Sequence, residues 1–108
     1  MYKLTVGEIN KAVAGSTGGN KETVIMGVAT DSREVREGYL FVAIQGEHFD
    51  GHDFINQAVD LGATVLIVSK DVQTEKNVTV IKVSDTVKAL GDLAKYTRSM
   101  FKKPVIAV

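Results

Sequence analysis

Two short polar runs hold most of the side chains in this sequence that could do chemistry. The first, Thr30-Asp31-Ser32-Arg33, sets two hydroxyls, a carboxylate and a guanidinium on consecutive residues. The second, Glu47-His48-Phe49-Asp50-Gly51-His52-Asp53, adds the chain's only histidines, further carboxylates and an aromatic ring, with Gly46 and Gly51 bracketing its first part. Each run closely follows an apolar, β-type segment, and polar groups at strand ends are where an α/β sheet usually meets its ligand. Hydrogen bonding to a small molecule is the chemistry these residues suit, because hydroxyls and loop amides are directed donors and acceptors and glycine lets backbone come close. A metal site is the competing reading of His48, His52, Asp50 and Asp53. Two histidines four apart chelate well only on a helix, and Gly51 interrupts this run, so no metal is expected. Plain structural roles stand beside the binding ones. The Ser32 hydroxyl suits a turn, Asp31 and Arg33 suit a salt link, and His52 suits a backbone contact at the start of the next helix, with Asp53 as N-cap.

The elements that must hold these runs are legible from periodicity. Residues 23–29 are rich in β-branched side chains and read as a strand, with Gly27 marking a bulge or a close approach. Residues 40–44 are wholly apolar, the pattern of a strand covered on both faces, and Gly38 supplies the turn before them. Residues 53–61 read as a helix with Phe54, Ala58 and Leu61 on one face, Ile55 and Val59 beside it, and Gly62 as the stop. Residues 64–68 and 78–83 are two more strands separated by a polar loop. Ser84 or Asp85 caps a longer helix on which Val87, Leu90, Leu93, Ala94, Thr97 and Phe101 keep close to a 3.6-residue period, and Pro104 ends it. Upstream, Thr5-Val6-Gly7-Glu8 has capping-box spacing and opens a helix over 6–14, with Gly15 as its stop. The following GSTGGN turn is no phosphate loop, since no strand precedes it and no Lys-Ser or Lys-Thr follows. Alternating strands and helices predict a small single-domain α/β sandwich, with a mixed sheet of about five strands and flanking helices.

The 108 residues suffice for one domain with one core. Lys and Arg number 13, as do Asp and Glu, which removes the electrostatic footprint of a nucleic-acid binder. The basic group Lys95, Arg98, Lys102 and Lys103 fits the negative end of a helix dipole. With no cysteine, disulfides, thiolate zinc sites and thiol nucleophiles are all excluded, and a fold needing no staples suits the cytoplasm. Neither a membrane span nor a secretory leader is suggested. Val105-Ile106-Ala107-Val108 reads as the opening of a buried strand, which predicts a natural chain that continues.

The runs Thr30-Asp31-Ser32-Arg33, Gly38 with Leu40-Phe41-Val42-Ala43, Gly46, Asp50-Gly51-His52-Asp53-Phe54, Ala58 and Gly62-Ala63 resemble the N-terminal domain of the Mur ligases. These are ATP-dependent amide ligases that extend the peptide of the peptidoglycan precursor. Asp85-Thr86, Ala89-Leu90, Leu93-Ala94 and Pro104-Val105-Ile106-Ala107-Val108 carry the resemblance onward, so it covers nearly the whole chain. It is greatest to the members that add D-alanyl-D-alanine to UDP-N-acetylmuramoyl-tripeptide, with those that add the third residue as one alternative and a stand-alone, non-catalytic nucleotide-binding module as the other. Tyr39 departs from the family, which usually has an acidic residue there.

The resemblance implies a UDP-precursor-binding domain over 1–103 and, over 104–108, the first strand of an ATP-binding central domain absent from this sequence. ATP and Mg2+ would then serve the full-length enzyme, the partners would be a UDP-N-acetylmuramoyl-peptide and the central and C-terminal domains, and this stretch alone would be inactive. The implied uridine site has Thr30 and Ser32 on one side and Glu47, His48 and Phe49 on the other. Backbone groups of that loop would read the uracil edge, and Phe49 or His48 would cover its face. Asp31, Arg33, Asp50, Gly51 and His52 would support the site or the diphosphate.

Overall fold

Four parallel strands form the centre of the structure, a computed structural model that describes residues 4–19, 21–74 and 78–100. They are β3 (Gly27–Ala29), β4 (Tyr39–Val42), β5 (Val65–Val68) and β6 (Thr79–Lys82), side by side in that order. Val28 pairs with Leu40, Phe41 with Leu66, and Leu66 with Val80. Two short strands, β1 (Leu4–Thr5) and β2 (Val24–Ile25), pair antiparallel in a separate sheet. The expected α/β sandwich is therefore present, with, among the described residues, six strands divided between two sheets and three α-helices around them: α1 (Val6–Ala12), α2 (Ile55–Asp60) and α3 (Thr86–Met100).

Alternation along the strands explains the layering. Leu40, Val42, Val65, Ile67 and Ile81 point to one face and pack with Val6, Ile9 and Val13 near α1 and with Ala89 and Leu93 of α3. Phe41, Leu66 and Val68 point to the other and pack with Ile55, Ala58 and Val59 of α2. A period of two sends successive side chains to opposite faces, so strands covered on both sides must be apolar throughout. All four residues of β5 are buried accordingly.

Local departures from the sequence pattern have physical causes. Residues 23–29 are not one strand. The chain crosses from one sheet to the other at Met26, whose N–H donates to the Gly38 carbonyl, and Gly27 marks a close approach to the Tyr39 ring. The capping box forms, since the Thr5 hydroxyl accepts from the Glu8 N–H and the Glu8 carboxylate accepts from the Thr5 N–H. The left-handed residue after α1 is Ala14, with φ 54°, and not Gly15. Gly15 lies instead where a Cβ would meet Ile81 at 2.4 Å.

Helix α2 is shorter than expected and is preceded by a 3-10 turn, Gly51–Phe54, capped by Asp50 and not Asp53. Its buried side chains are Ile55, Ala58 and Val59, whereas Phe54 and Leu61 are exposed. Gly62 ends this segment with φ +121°, where a Cβ would meet the Glu37 backbone at 2.6 Å. On α3 the buried line is Ala89, Leu93 and, in part, Leu90 and Tyr96, while Val87 and Ala94 are exposed. Asp85 is the cap, accepting from the Val87 and Lys88 N–H groups. Pro104, the segment 105–108, Phe101, Lys102, Lys103 and the expected boundary after residue 103 lie outside the described residues.

Candidate functional site

β3 and β4 are neighbours, so the segments leaving their carboxyl ends meet. Residues 30–34 leave β3 through a 3-10 turn, Ser32–Glu34, and residues 43–50 leave β4 as a loop closed on itself. That loop is held by an antiparallel bridge between Gln45 and Asp50 and by the Gly46 N–H donating to the Phe49 carbonyl at 2.7 Å. Gly51 stands directly on the extension of β4. Its N–H donates to the Ile44 carbonyl at 2.8 Å, and a Cβ on it would come within 2.8 Å of the Ile44 nitrogen.

A cleft of about 690 Å³ opens between these segments and the start of α3. Thr30, Asp31, Ser32 and Arg33 form its polar wall. Phe41, Ile44, Phe54, Val87 and Leu90, with Phe49 of the loop, form its apolar one. The Phe49 and Phe54 rings meet edge to face with centroids 5.5 Å apart, and each ring is half exposed. One concave site with an apolar surface and a few convergent polar groups is the usual form of a small-molecule pocket.

Within the polar wall, Asp31 and Arg33 fix each other. The Asp31 carboxylate accepts from the Arg33 backbone N–H, from Nε and from Nη2, and these bonds hold its pKa down to about 2. Ser32 is buried, and its hydroxyl donates to Gln57 Oε1 at 3.2 Å. A serine whose proton is committed in this way still presents oxygen lone pairs as acceptors.

Gly51, also expected at the site, lines the cleft, whereas Glu47, His48, Asp50 and His52 are placed differently. Glu47 and His48 project into solvent with side chains 93% and 96% exposed, 4.0 Å apart, and neither lines the cleft. Asp50 and His52 lie behind the loop. The His52 ring contacts Asp50 Oδ1 at 2.6 Å and accepts from the Ser69 N–H at 3.0 Å, while Lys70 Nζ reaches Asp50 Oδ2. Burial pushes the Asp50 carboxyl up, but bonds from Lys70, the His52 N–H and the His52 ring outweigh it and hold the group well below the usual carboxylate range. His52 therefore bonds backbone at the end of β5, not at the start of α2. Gln57, Ile44, Phe54, Val87 and Leu90 line the cleft without having been singled out from the sequence. The signal that could have found Gln57 was its position one turn into a helix that leaves the loop.

Among the described residues no group of three or more His, Asp or Glu side chains could hold a metal ion. The glycine-rich turn is also spent structurally, since the Ser16 N–H and C=O are both bonded to Lys82. No described helix is long and apolar enough to cross a membrane.

Layered α/β packing with a mixed cleft at the carboxyl ends of parallel strands defines the class, a small-molecule-binding α/β domain. Residues 24–98 match the family model described as "Mur ligase family, catalytic domain", and the chain belongs to the Mur ligase family. It is 43% identical over 73 residues to a UDP-N-acetylmuramoyl-L-alanyl-D-glutamate--2,6-diaminopimelate ligase of Clostridium perfringens, covering 68% of this chain and 15% of that one. To the UDP-N-acetylmuramoyl-tripeptide--D-alanyl-D-alanine ligase of Bacillus subtilis it is 41% identical over 98 residues, covering 88% and 21%. A crystal structure of MurF from Acinetobacter baumannii is similar with a TM-score of 0.83 at 32% identity, over 93% of this chain and 22% of that chain. The chain thus spans about a fifth or less of the length of these relatives.

Proposed function

We propose that this chain is the substrate-recognition domain of an ATP-dependent amide ligase of peptidoglycan precursor synthesis, and that its cleft holds the uridine end of a UDP-N-acetylmuramoyl-peptide. The observation that carries this reading is the meeting of the Thr30–Arg33 turn and Phe49 in one cleft. Uracil is a flat, neutral ring with one N–H donor and two carbonyl acceptors. It asks for an apolar wall and a few directed hydrogen bonds and not for a charge. Phe49 and Phe54 offer the wall. Ser32, its own proton given to Gln57, offers an acceptor to the one N–H. Arg33 at the rim is the cation nearest to hand for the diphosphate, though part of its guanidinium is already engaged by Asp31.

Structural likeness to MurF and 41% identity to the Bacillus enzyme over 88% of this chain support addition of D-alanyl-D-alanine to the tripeptide precursor. The Clostridium match supports the second reading, addition of diaminopimelate as the third residue. In either case the acyl phosphate would form on other domains of a longer protein, with ATP and Mg2+ bound there, in the cytoplasm.

Calorimetric titration tests the site. UDP and UDP-sugars should bind in preference to ADP, and Ser32→Ala should weaken UDP binding roughly five- to tenfold, the scale of one hydrogen bond in a buried site. Equal affinity for UDP and ADP would remove the uridine reading. Unchanged UDP affinity in the Ser32 variant would return that hydroxyl to a turn-forming role.

A further inference from the structure

We propose that His52 is a positioning residue of the cleft, a neutral imidazole held in one tautomer that ties the loop bearing Phe49 to the carboxyl end of β5. The tautomer follows from its partners. A backbone N–H can only donate, so the Ser69 contact at 3.0 Å requires an unprotonated Nε2, and the ring proton sits on Nδ1. Nδ1 then donates to Asp50 Oδ1 at 2.6 Å. The ring is 6% exposed, so water does not replace either bond at low cost.

Asp50 completes the clasp. It also accepts from the His52 backbone N–H at 3.0 Å and from Lys70, the residue after Ser69. Two consecutive residues beyond β5 thereby grip both ends of the Asp50-Gly51-His52 segment. Phe49 lies immediately before this segment, and its carbonyl is already bonded to Gly46 within the same small loop. Its half-exposed ring is therefore set at the cleft by the Phe54 contact and by the clasp behind it. None of His52, Ser69 and Lys70 lines the cleft, so each acts on a ligand only through the loop. The ligand class most sensitive to this arrangement is a planar heteroaromatic base stacked on Phe49, which rests on the uridine reading above.

Two measurements on the whole chain test the proposal. Nitrogen-15 NMR of the histidine ring should show His52 with a protonated Nδ1 and a bare Nε2 at neutral pH. A protonated Nε2 would overturn the assignment whether or not any nucleotide binds. The second measurement is a double-mutant cycle with UDP as the probe. His52→Phe should weaken binding roughly tenfold, the scale of one lost stacking contact, and His52→Gln, which keeps an acceptor for Ser69, should restore much of it. In a Phe49→Ala background His52→Phe should have no further effect, whereas an equal loss in both backgrounds would show that His52 does not act through Phe49. Should His52→Phe fail to fold, Lys70→Met weakens the same clasp from the surface and is read in the same cycle. If UDP does not bind the parent chain, the uridine reading fails, and the ring NMR with the Phe49 resonances of the Lys70→Met variant, which breaks the bond to Asp50, still decides the clasp. Unshifted Phe49 resonances in that variant would overturn it.

Discussion

Gly51→Ala is the sharpest perturbation of the cleft, because the structure leaves no side chain to absorb it. A Cβ at this position would stand 2.8 Å from the Ile44 nitrogen and 3.0 Å from the Ala43 Cα, both backbone atoms of the segment continuing β4. Neither can rotate aside, so the loop must lift from the strand by roughly half an ångström or more. Lifting stretches the Gly51 N–H bond to the Ile44 carbonyl, now 2.8 Å, a loss of about 1 kcal/mol. Overpacking of this kind adds about 2 kcal/mol. The sum of about 3 kcal/mol predicts a Tm about 15 °C lower for a domain of this size, followed by circular dichroism. The same loop supplies its own control. A Cβ on Gly46 would meet only the Phe49 carbonyl oxygen at 3.4 Å, so Gly46→Ala should leave Tm nearly unchanged. A Gly51→Ala protein melting within about 3 °C of the parent would refute the claim that the loop is pinned to β4 by backbone contact.

Gly91 lies exposed within α3 with nothing within 4 Å of a Cβ, so Gly91→Ala should stabilise the chain by about 0.5–1 kcal/mol. A lowered Tm would show that the position is not an open helix interior. Asp50→Asn should make stability less dependent on acid. The folded-state pKa of Asp50 is depressed, so its stabilising contribution is complete above the ordinary carboxylate value of 3.8 and is lost as pH falls through the lower folded value. Urea titrations should therefore show the Asn variant weaker at pH 7, with the gap closing as the pH drops below that ordinary value. A gap of constant size would refute the carboxylate's role.

The layering was readable because it depends on short-range pattern. Unbroken apolar strands at Leu40–Ile44 and Val65–Val68 demand cover on both faces, and Thr5 with Glu8 three residues later demands a helix start. Pattern failed where two local preferences competed. Gly15 looked like the stop for α1, yet it is needed for its close approach to Ile81, and Ala14 takes the left-handed backbone instead. Asp53 looked like a cap, but Asp50 reaches the free N–H groups first because the chain turns in 3-10 form from Gly51.

What the sequence determined by itself was the alternation of strands and helices and the two polar turns at the ends of neighbouring strands, since period, caps and glycine positions act over a few residues. Which side chains face the cleft was decided only by tertiary structure. Ser32 meets Gln57 across 25 residues, and His52 meets Ser69 across 17. Glu47 and His48, adjacent to Phe49 in sequence, point into solvent while Phe49 reaches the cleft. Loop side chains have no repeating direction, so their orientation follows from the contacts the folded chain makes around them.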